Sequence, residues 1–263
     1  MKLYAGCELH YDVPAPTPIM LMLRPRSGAG QWITGEEYVL DPATPVTEYT
    51  DLYGNLCQRL IAPAGPFRIR TTVTAEVSDV SDVAPGAPFV EAQDLPDDVL
   101  HYLLPSRYCQ SDRLGSLAGE IVAGAAPGYD QAEAIRKWIN EHVTYQYGTS
   151  DATTSAIETS EKRVGVCRDF THLGIALCRS LNIPARMVVG YLYQLDPMDL
   201  HAWFEAFVGG RWYTFDATQK EPRGNRIYVA YGRDAADVAF ATQYGPMTLQ
   251  KMEVWVNEHT SES

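Results

Sequence analysis

The period of the hydrophobic pattern changes along this 263-residue chain, and that change limits what the chain can fold into. Up to about residue 83 apolar side chains recur at every second position. Leu3, Ala5, Cys7, Leu9 and Tyr11 alternate with Tyr4, Gly6, Glu8 and His10. Ile19–Leu23, Val46–Tyr49, Leu56–Ile61 and Phe67–Val77 follow, separated by turn residues such as Gly54-Asn55. A period of two puts one row of side chains on one face of a strand. Short strands with no helical period between them favour a small antiparallel sandwich or barrel. Residues 84–105 carry Pro85, Pro88, Pro96 and Pro105 and read as a linker enclosing a short helix at Asp97–Leu104.

Beyond the linker the spacing becomes helical. Leu114, Leu117, Ile121 and Val122 form one segment, weakened by Gly115, Gly119 and Gly124; Ala132, Ile135, Trp138, Ile139 and Val143 form the next. Another helix starts near Cys167, after which Ala185–Leu195, His201–Val208, Arg211–Asp216, Arg226–Tyr231 and Thr248–Val256 read as strands. Helices followed by strands make an α+β fold with an antiparallel sheet. The length suits one large domain or two ordinary ones. The expected division is a small all-β domain over 1–83, a linker over 84–105 and an α+β domain over 106–263, with a frayed tail at 257–263.

Composition excludes several classes. At 46% hydrophobic and 21% charged residues the chain is globular, and it has no run of about 18 apolar residues that could span a bilayer. Pro14, Pro16 and Pro18 break up the first apolar stretch, so no secretion signal is expected. The five cysteines, at 7, 57, 109, 167 and 178, are odd in number and form no CxxC pair, which argues against a disulfide framework or a zinc ribbon and for a reducing cytoplasm. A net charge of −12 disfavours nonspecific binding to nucleic acid or to an anionic membrane.

The chemistry-bearing stretch begins at Gly165-Val166-Cys167-Arg168-Asp169-Phe170. Phe170, Leu173, Leu177 and Leu181 recur at helical spacing until Asn182-Ile183-Pro184, so Cys167 stands at the head of an amphipathic helix. Free N–H groups and the positive end of the helix dipole favour a thiolate there. A cysteine alone is more often a small buried hydrophobe. His172 lies about 140° around the helix from it and points elsewhere, which leaves His201. The segment His201–Val208, Gly209-Gly210, Arg211–Asp216 reads as a hairpin with a two-residue turn. If Val208 faces Arg211, then Asp216 faces Trp203 and lies one diagonal step from His201 on the same face. A carboxylate so placed fixes the tautomer of the imidazole, whose other nitrogen can take and return a thiol proton. His201, Glu205 and Asp216 are expected on the face that meets the cysteine helix, with Ala202, Phe204, Ala206 and Val208 on the other. Trp203, beside His201 on the polar face, either borders the acyl site or packs in the core.

The stretches GVCRDFTHLGIALCRSLNIPARMVVGYL and DLHAWFEAFVGGRWYTFDATQ resemble the core of the transglutaminase-like superfamily, in its bacterial cysteine-protease-like branch, from about Ser155 to Tyr231. Gly232–Val238 resembles that branch as well, and the leading 83 residues are similar to its accessory β-domain. One departure is Ala217 directly after Asp216, where proline often stands. The resemblance implies a papain-like core, with a helix-borne cysteine packed on an antiparallel sheet that carries the histidine and the aspartate. It implies Cys167 as nucleophile, His201 as its proton partner and Asp216 as the orienting residue. The implied activity is a thiol hydrolase, a cysteine protease or amidase, acting on a peptide or protein substrate through a thioester, with no cofactor. Amine acyl transfer and non-catalytic peptide binding are the alternatives. For the oxyanion, the Cys167 N–H is one donor, and Tyr147 is the upstream side-chain candidate, with packing on the sheet as its competing role.

Metal binding at Cys167, His172 and Cys178 is excluded by distance, since the two cysteines are about 16 Å apart along a helix. Gly28-Ala29-Gly30 precedes no helix, so no phosphate loop and no nucleotide are expected. The sequence carries no motif that names the substrate or the oligomeric state.

Overall fold

The computed structural model describes residues 1–28 and 30–259. Its strands are β1 (Lys2–Val13), β2 (Thr17–Arg24), β3 (Gln31–Asp41), β4 (Thr47–Thr50), β5 (Leu56–Ala62) and β6 (Gly65–Val77), then β7 (Thr144–Tyr145) and β8 (Val164–Gly165). They continue with β9 (Ala185–Leu192), β10 (His201–Val208), β11 (Arg211–Phe215), β12 (Arg226–Gly232), β13 (Ala241–Gln243) and β14 (Thr248–Glu258). The helices are α1 (Gly115–Ile121), α2 (Tyr129–His142), α3 (Ala156–Lys162) and α4 (Cys167–Ser180).

The alternation read in β1 buries Leu3, Ala5, Cys7, Leu9, Tyr11 and Val13, and β2 and β6 bury their matching rows. These rows join one apolar cluster. Two four-stranded antiparallel sheets result, in the orders β14-β1-β6-β3 and β13-β2-β5-β4. The C-terminal strands therefore leave the unit expected over 106–263. β14 pairs along nearly the whole of β1, and β13 pairs with β2. The expected frayed tail is also corrected in part: Asn257 and Glu258 lie in β14 and the His259 N–H bonds Lys2 O at 2.8 Å, while residues 260–263 lie outside the described residues.

β3 carries no clean apolar row and is mostly exposed at a sheet edge, so its sequence gave little signal. Gly28 and Gln31 exchange two backbone hydrogen bonds where it begins, and Ala29 lies outside the described residues. In the proline-bearing stretch the expected helix at Asp97–Leu104 is only a 3-10 turn at Leu100–Leu103. No helix of the described residues is long and apolar enough to cross a membrane.

The third sheet has the order β11-β10-β9-β12, all antiparallel. On it lies α4, buried on almost every side, which is the mark of a central core helix. α2 and α3 pack around it. Two polar side chains of α4 are buried with hydrogen-bond partners, although His172 Nδ1 has none among the described residues. Arg179 donates to the carbonyls of Ala185, Leu104 and Arg233. His172 stacks on Tyr108 and accepts the Ala235 N–H at 3.2 Å. Burial pushes the His172 pKa down to about 3, so it is a neutral packing residue.

α4 approaches the sheet most closely at Gly174, where an added Cβ would stand 2.4 Å from Phe204 Cε1. Phe204 is stacked on Phe215 with ring centroids 5.6 Å apart and cannot swing aside. Gly174→Ala is therefore expected to destabilise the protein by about 1–3 kcal/mol through overpacking, although alanine favours helix. The check is the urea midpoint; an unchanged or higher midpoint would contradict this packing.

Candidate active site

The start of α4 is fixed by its own third residue. Asp169 is fully buried and accepts the Val166 N–H on Oδ2 at 2.8 Å, closing the helix N-terminus. Cys167 is then the first helical residue, where the backbone N–H has no intrahelical partner. It is half-buried, whereas Cys7, Cys57, Cys109 and Cys178 are buried. Burial pushes the thiols of Cys7 and Cys109 up to about 11 and about 12, and Cys178 is driven up as well. Those thiols stay protonated inside the fold.

The hairpin register is as read from the sequence, with Val208 opposite Arg211 and Phe204 opposite Phe215. Asp216 thus follows β11 directly and lies across from Trp203. His201 opens β10, and its Nε2 is 2.8 Å from Asp216 Oδ2, with both side chains almost wholly buried. The face assignment is different. α4 packs on the face bearing Phe204, so His201, Trp203, Glu205 and Asp216 share the face turned away from the helix. The side-chain alternation could not reveal which face the helix takes. His201 still reaches Cys167 because it is the first residue of its strand, at the end of the sheet. The Cys167 side chain is near enough to help raise its pKa. With Nε2 turned to Asp216, Nδ1 is the ring nitrogen left for the thiol.

Asp216 makes four contacts. Oδ1 accepts the Thr218 N–H at 3.0 Å and the Thr218 hydroxyl at 2.7 Å. Oδ2 accepts His201 and also Arg226 Nη2, each at 2.8 Å. Burial alone would raise the Asp216 pKa, but His201 and Arg226 outweigh it and hold the carboxyl far below the ordinary carboxylate range. Burial likewise lowers the His201 pKa, but the Asp216 charge and hydrogen bond, helped by Cys167, override it and raise the value to about 9. At that value the imidazole is charged at neutral pH.

Two upstream tyrosines lie near the start of α4. Tyr147 is half-exposed, and its hydroxyl donates to Asp199 Oδ2 at 3.0 Å. Tyr145 stands opposite Gly165 in the parallel β7–β8 pair, and its ring is 5.8 Å from that of Phe170. Burial first, with Cys167 and Tyr147 close by, drives the pKa of its hydroxyl up. Tyr147 is the sequence candidate, and nothing in the local pattern distinguishes it from Tyr145, since the two flank one residue. Trp203 is 1% exposed, as in the packing alternative. Its ring packs against His201, Tyr228 and the Arg226 guanidinium.

A cavity of about 720 Å³ lies on the sheet face away from α4, lined by Arg186, Glu205, Trp212, Arg223, Arg226 and Tyr228 among others. It does not contain Cys167 or His201, so size does not make it the reacting site. A group with ligand atoms within 4.8 Å of one another is Glu8, His10 and Glu253, on the paired strands β1 and β14. Glu8 there is already engaged by Arg70 at 3.0 Å.

Comparison with known proteins places the site in context. The family model described as the transglutaminase-like superfamily matches residues 115–217. A solved structure described as a putative cysteine protease from Cytophaga hutchinsonii is 37% identical, covers 100% of this chain and 92% of its own, and superposes with a TM-score of 0.93. An uncharacterized protein of Mycobacterium leprae is 27% identical over 243 residues, 87% of each chain. The periplasmic domain of TgpA from Pseudomonas aeruginosa is 19% identical, with a TM-score of 0.41 over 81% of this chain and 76% of that one.

The buried pair has a pH signature. His201, raised from an ordinary value near 6.5 to about 9, contributes stability that is complete below the unfolded value and is lost as pH rises through about 9. Asp216, lowered, contributes stability above its unfolded value that is lost as pH falls. Asp216→Asn is expected to lower the His201 pKa, because the largest influence opposing burial is then lost and only Cys167 still raises it, and to reduce the alkaline loss of stability. Titration of histidine ring nitrogens by NMR checks this; a His201 that titrates near 6.5 in both proteins would contradict it.

Proposed function

The chain belongs to the transglutaminase-like superfamily, and from that membership we propose that it is a thiol hydrolase of the cysteine protease or amidase kind. The observation that carries the reading is a half-buried helix-start thiol beside an imidazole whose other nitrogen is held by a buried carboxylate. The kinship with a structure described as a cysteine protease supports a peptide or protein substrate.

In this mechanism Cys167 attacks the substrate carbonyl as a thiolate while His201 holds the proton on Nδ1. The tetrahedral oxyanion forms beside the Cys167 N–H, with the Tyr145 hydroxyl as the side-chain donor in place of Tyr147. His201 then protonates the leaving amine, and the acyl group remains on sulfur as a thioester. Water enters, gives up a proton to His201 and attacks the thioester, and the acid leaves as the thiol is restored. Asp216 keeps the ring in place and stabilises its charged form throughout. Acyl transfer would begin with the same thioester and end with an amine in the place of water.

An activated ester such as p-nitrophenyl acetate tests the machinery without knowledge of the natural substrate. Cys167→Ala should remove turnover with little change in melting temperature, since this side chain is half-exposed. Loss of the fold would instead make it a packing residue. Tyr145→Phe should lower kcat by about 10²–10³-fold as the loss of one oxyanion donor, and Tyr147→Phe should cost less than about tenfold. The reverse order would return the role to Tyr147. Adding a primary amine should leave the acid as the main product; a predominant amide would make the protein an acyltransferase.

A further inference from the structure

Arg226 stands outside the three residues that the mechanism uses, yet it bonds to one of them. It opens β12, and its Nη2 donates to the same Oδ2 of Asp216 that receives His201 Nε2, at 2.8 Å. Its side chain is 3% exposed. Two further contacts fix it: Nε donates to Arg223 O at 3.1 Å, and the guanidinium lies 4.7 Å from the centre of the Trp203 ring. Trp203 in turn packs on the His201 ring, with centroids 5.9 Å apart. Carboxylate, imidazole, indole and guanidinium therefore close a ring of contacts.

We propose that Arg226 is a positioning residue that limits how tightly Asp216 holds the proton-bearing form of His201. Resting on the thiol-hydrolase reading, the argument is electrostatic. Two cations share one carboxylate oxygen, so each weakens the other's hold. Arg226 also keeps Asp216 ionised while it is buried, which His201 alone could not do once it has given up its proton. A His201 held by the carboxylate alone would be a weaker acid and a slower donor to the leaving group. The other groups that act on this cluster are Cys167 on His201, Arg223 on Arg226 and Asp216, and Arg136 on Asp216.

The strand-rich region gains a role from this contact. The loop before Arg226 is pinned to the chain that leaves β6: the Asn225 N–H bonds Ser78 O at 2.8 Å. A Cβ added at Gly224 would stand 2.5 Å from the Asp79 carbonyl carbon. The segment that joins the strand-rich sheets to the rest of the chain is thus what holds Arg226 against Asp216.

The experiment follows the His201 ring nitrogens by NMR titration in the wild type, Arg226→Met and Arg226→Lys, alongside the pH dependence of ester turnover. Arg226→Met should move the His201 titration upward by about one pH unit, as removal of a nearby like charge requires, and should lower kcat with KM little changed. Arg226→Lys, which cannot serve both Arg223 O and Asp216, should move it the same way by less, and it supplies the test if the methionine variant does not fold. An Asp216→Asn background should change the size of the Arg226→Met shift, leaving only the part owed to direct repulsion between the two cations. A His201 titration that stays in place or falls in a folded Arg226 variant, with only stability lost, would make the arginine purely structural and overturn the proposal. A wild type whose His201 titrates as an ordinary histidine and whose Cys167 is not acylated would instead sink the thiol-hydrolase reading.

Discussion

One buried carboxylate organises the reacting end of this molecule. A buried, ionised Asp216 is costly unless every lone pair is used. Here both oxygens are used, by the two donors of Thr218 on one side and by His201 and Arg226 on the other. Those four bonds draw together the end of β11, the start of β10 and the start of β12. Removing any one donor leaves part of a buried charge unpaired, so the geometry of the imidazole follows from the demand that the carboxylate be satisfied.

A second constraint is the length of α4. Its first residue must reach His201 while its middle lies against Phe204, and Gly174 makes that approach possible. Asp169 closes the helix from inside. The sulfur is thus carried on a rigid core element, and the imidazole on the first residue of a central strand. Neither depends on a long loop. The strand-rich sheets contribute through residues 78–80, which hold the loop that leads into Arg226.

Much of this was legible in the sequence because it depends on neighbours close in the chain. The Gly209-Gly210 turn set the hairpin register, and the register set His201 and Asp216 side by side. The helical spacing after Cys167 set the thiol at a helix start. Contacts between distant segments left weaker traces. Which face of β10 meets α4 is decided by Phe204 packing on a glycine, and no period of two reports that. Arg226 is separated from Asp216 by a loop whose course depends on residues 78–80. Whether Trp203 packs or borders a site depends on Tyr228 and Arg226 of β12, which its own strand does not report. β14 was read as part of the later sheet since its own sequence cannot say that β1 is its partner. α3 was overlooked although Ser155 and Glu158 form a capping box, in which the Ser155 N–H bonds Glu158 Oε2 at 2.9 Å.

The central claim is that the Cys167 sulfur, activated by His201, carries the acyl group. Intact-mass analysis of protein quenched during reaction with an activated ester, followed by peptide mapping, tests it most directly. The expected result is one acyl adduct on Cys167 that forms quickly in the wild type, slowly in His201→Ala and not at all in Cys167→Ala. An adduct on another residue, or equal acylation of Cys167 with and without His201, would contradict the account.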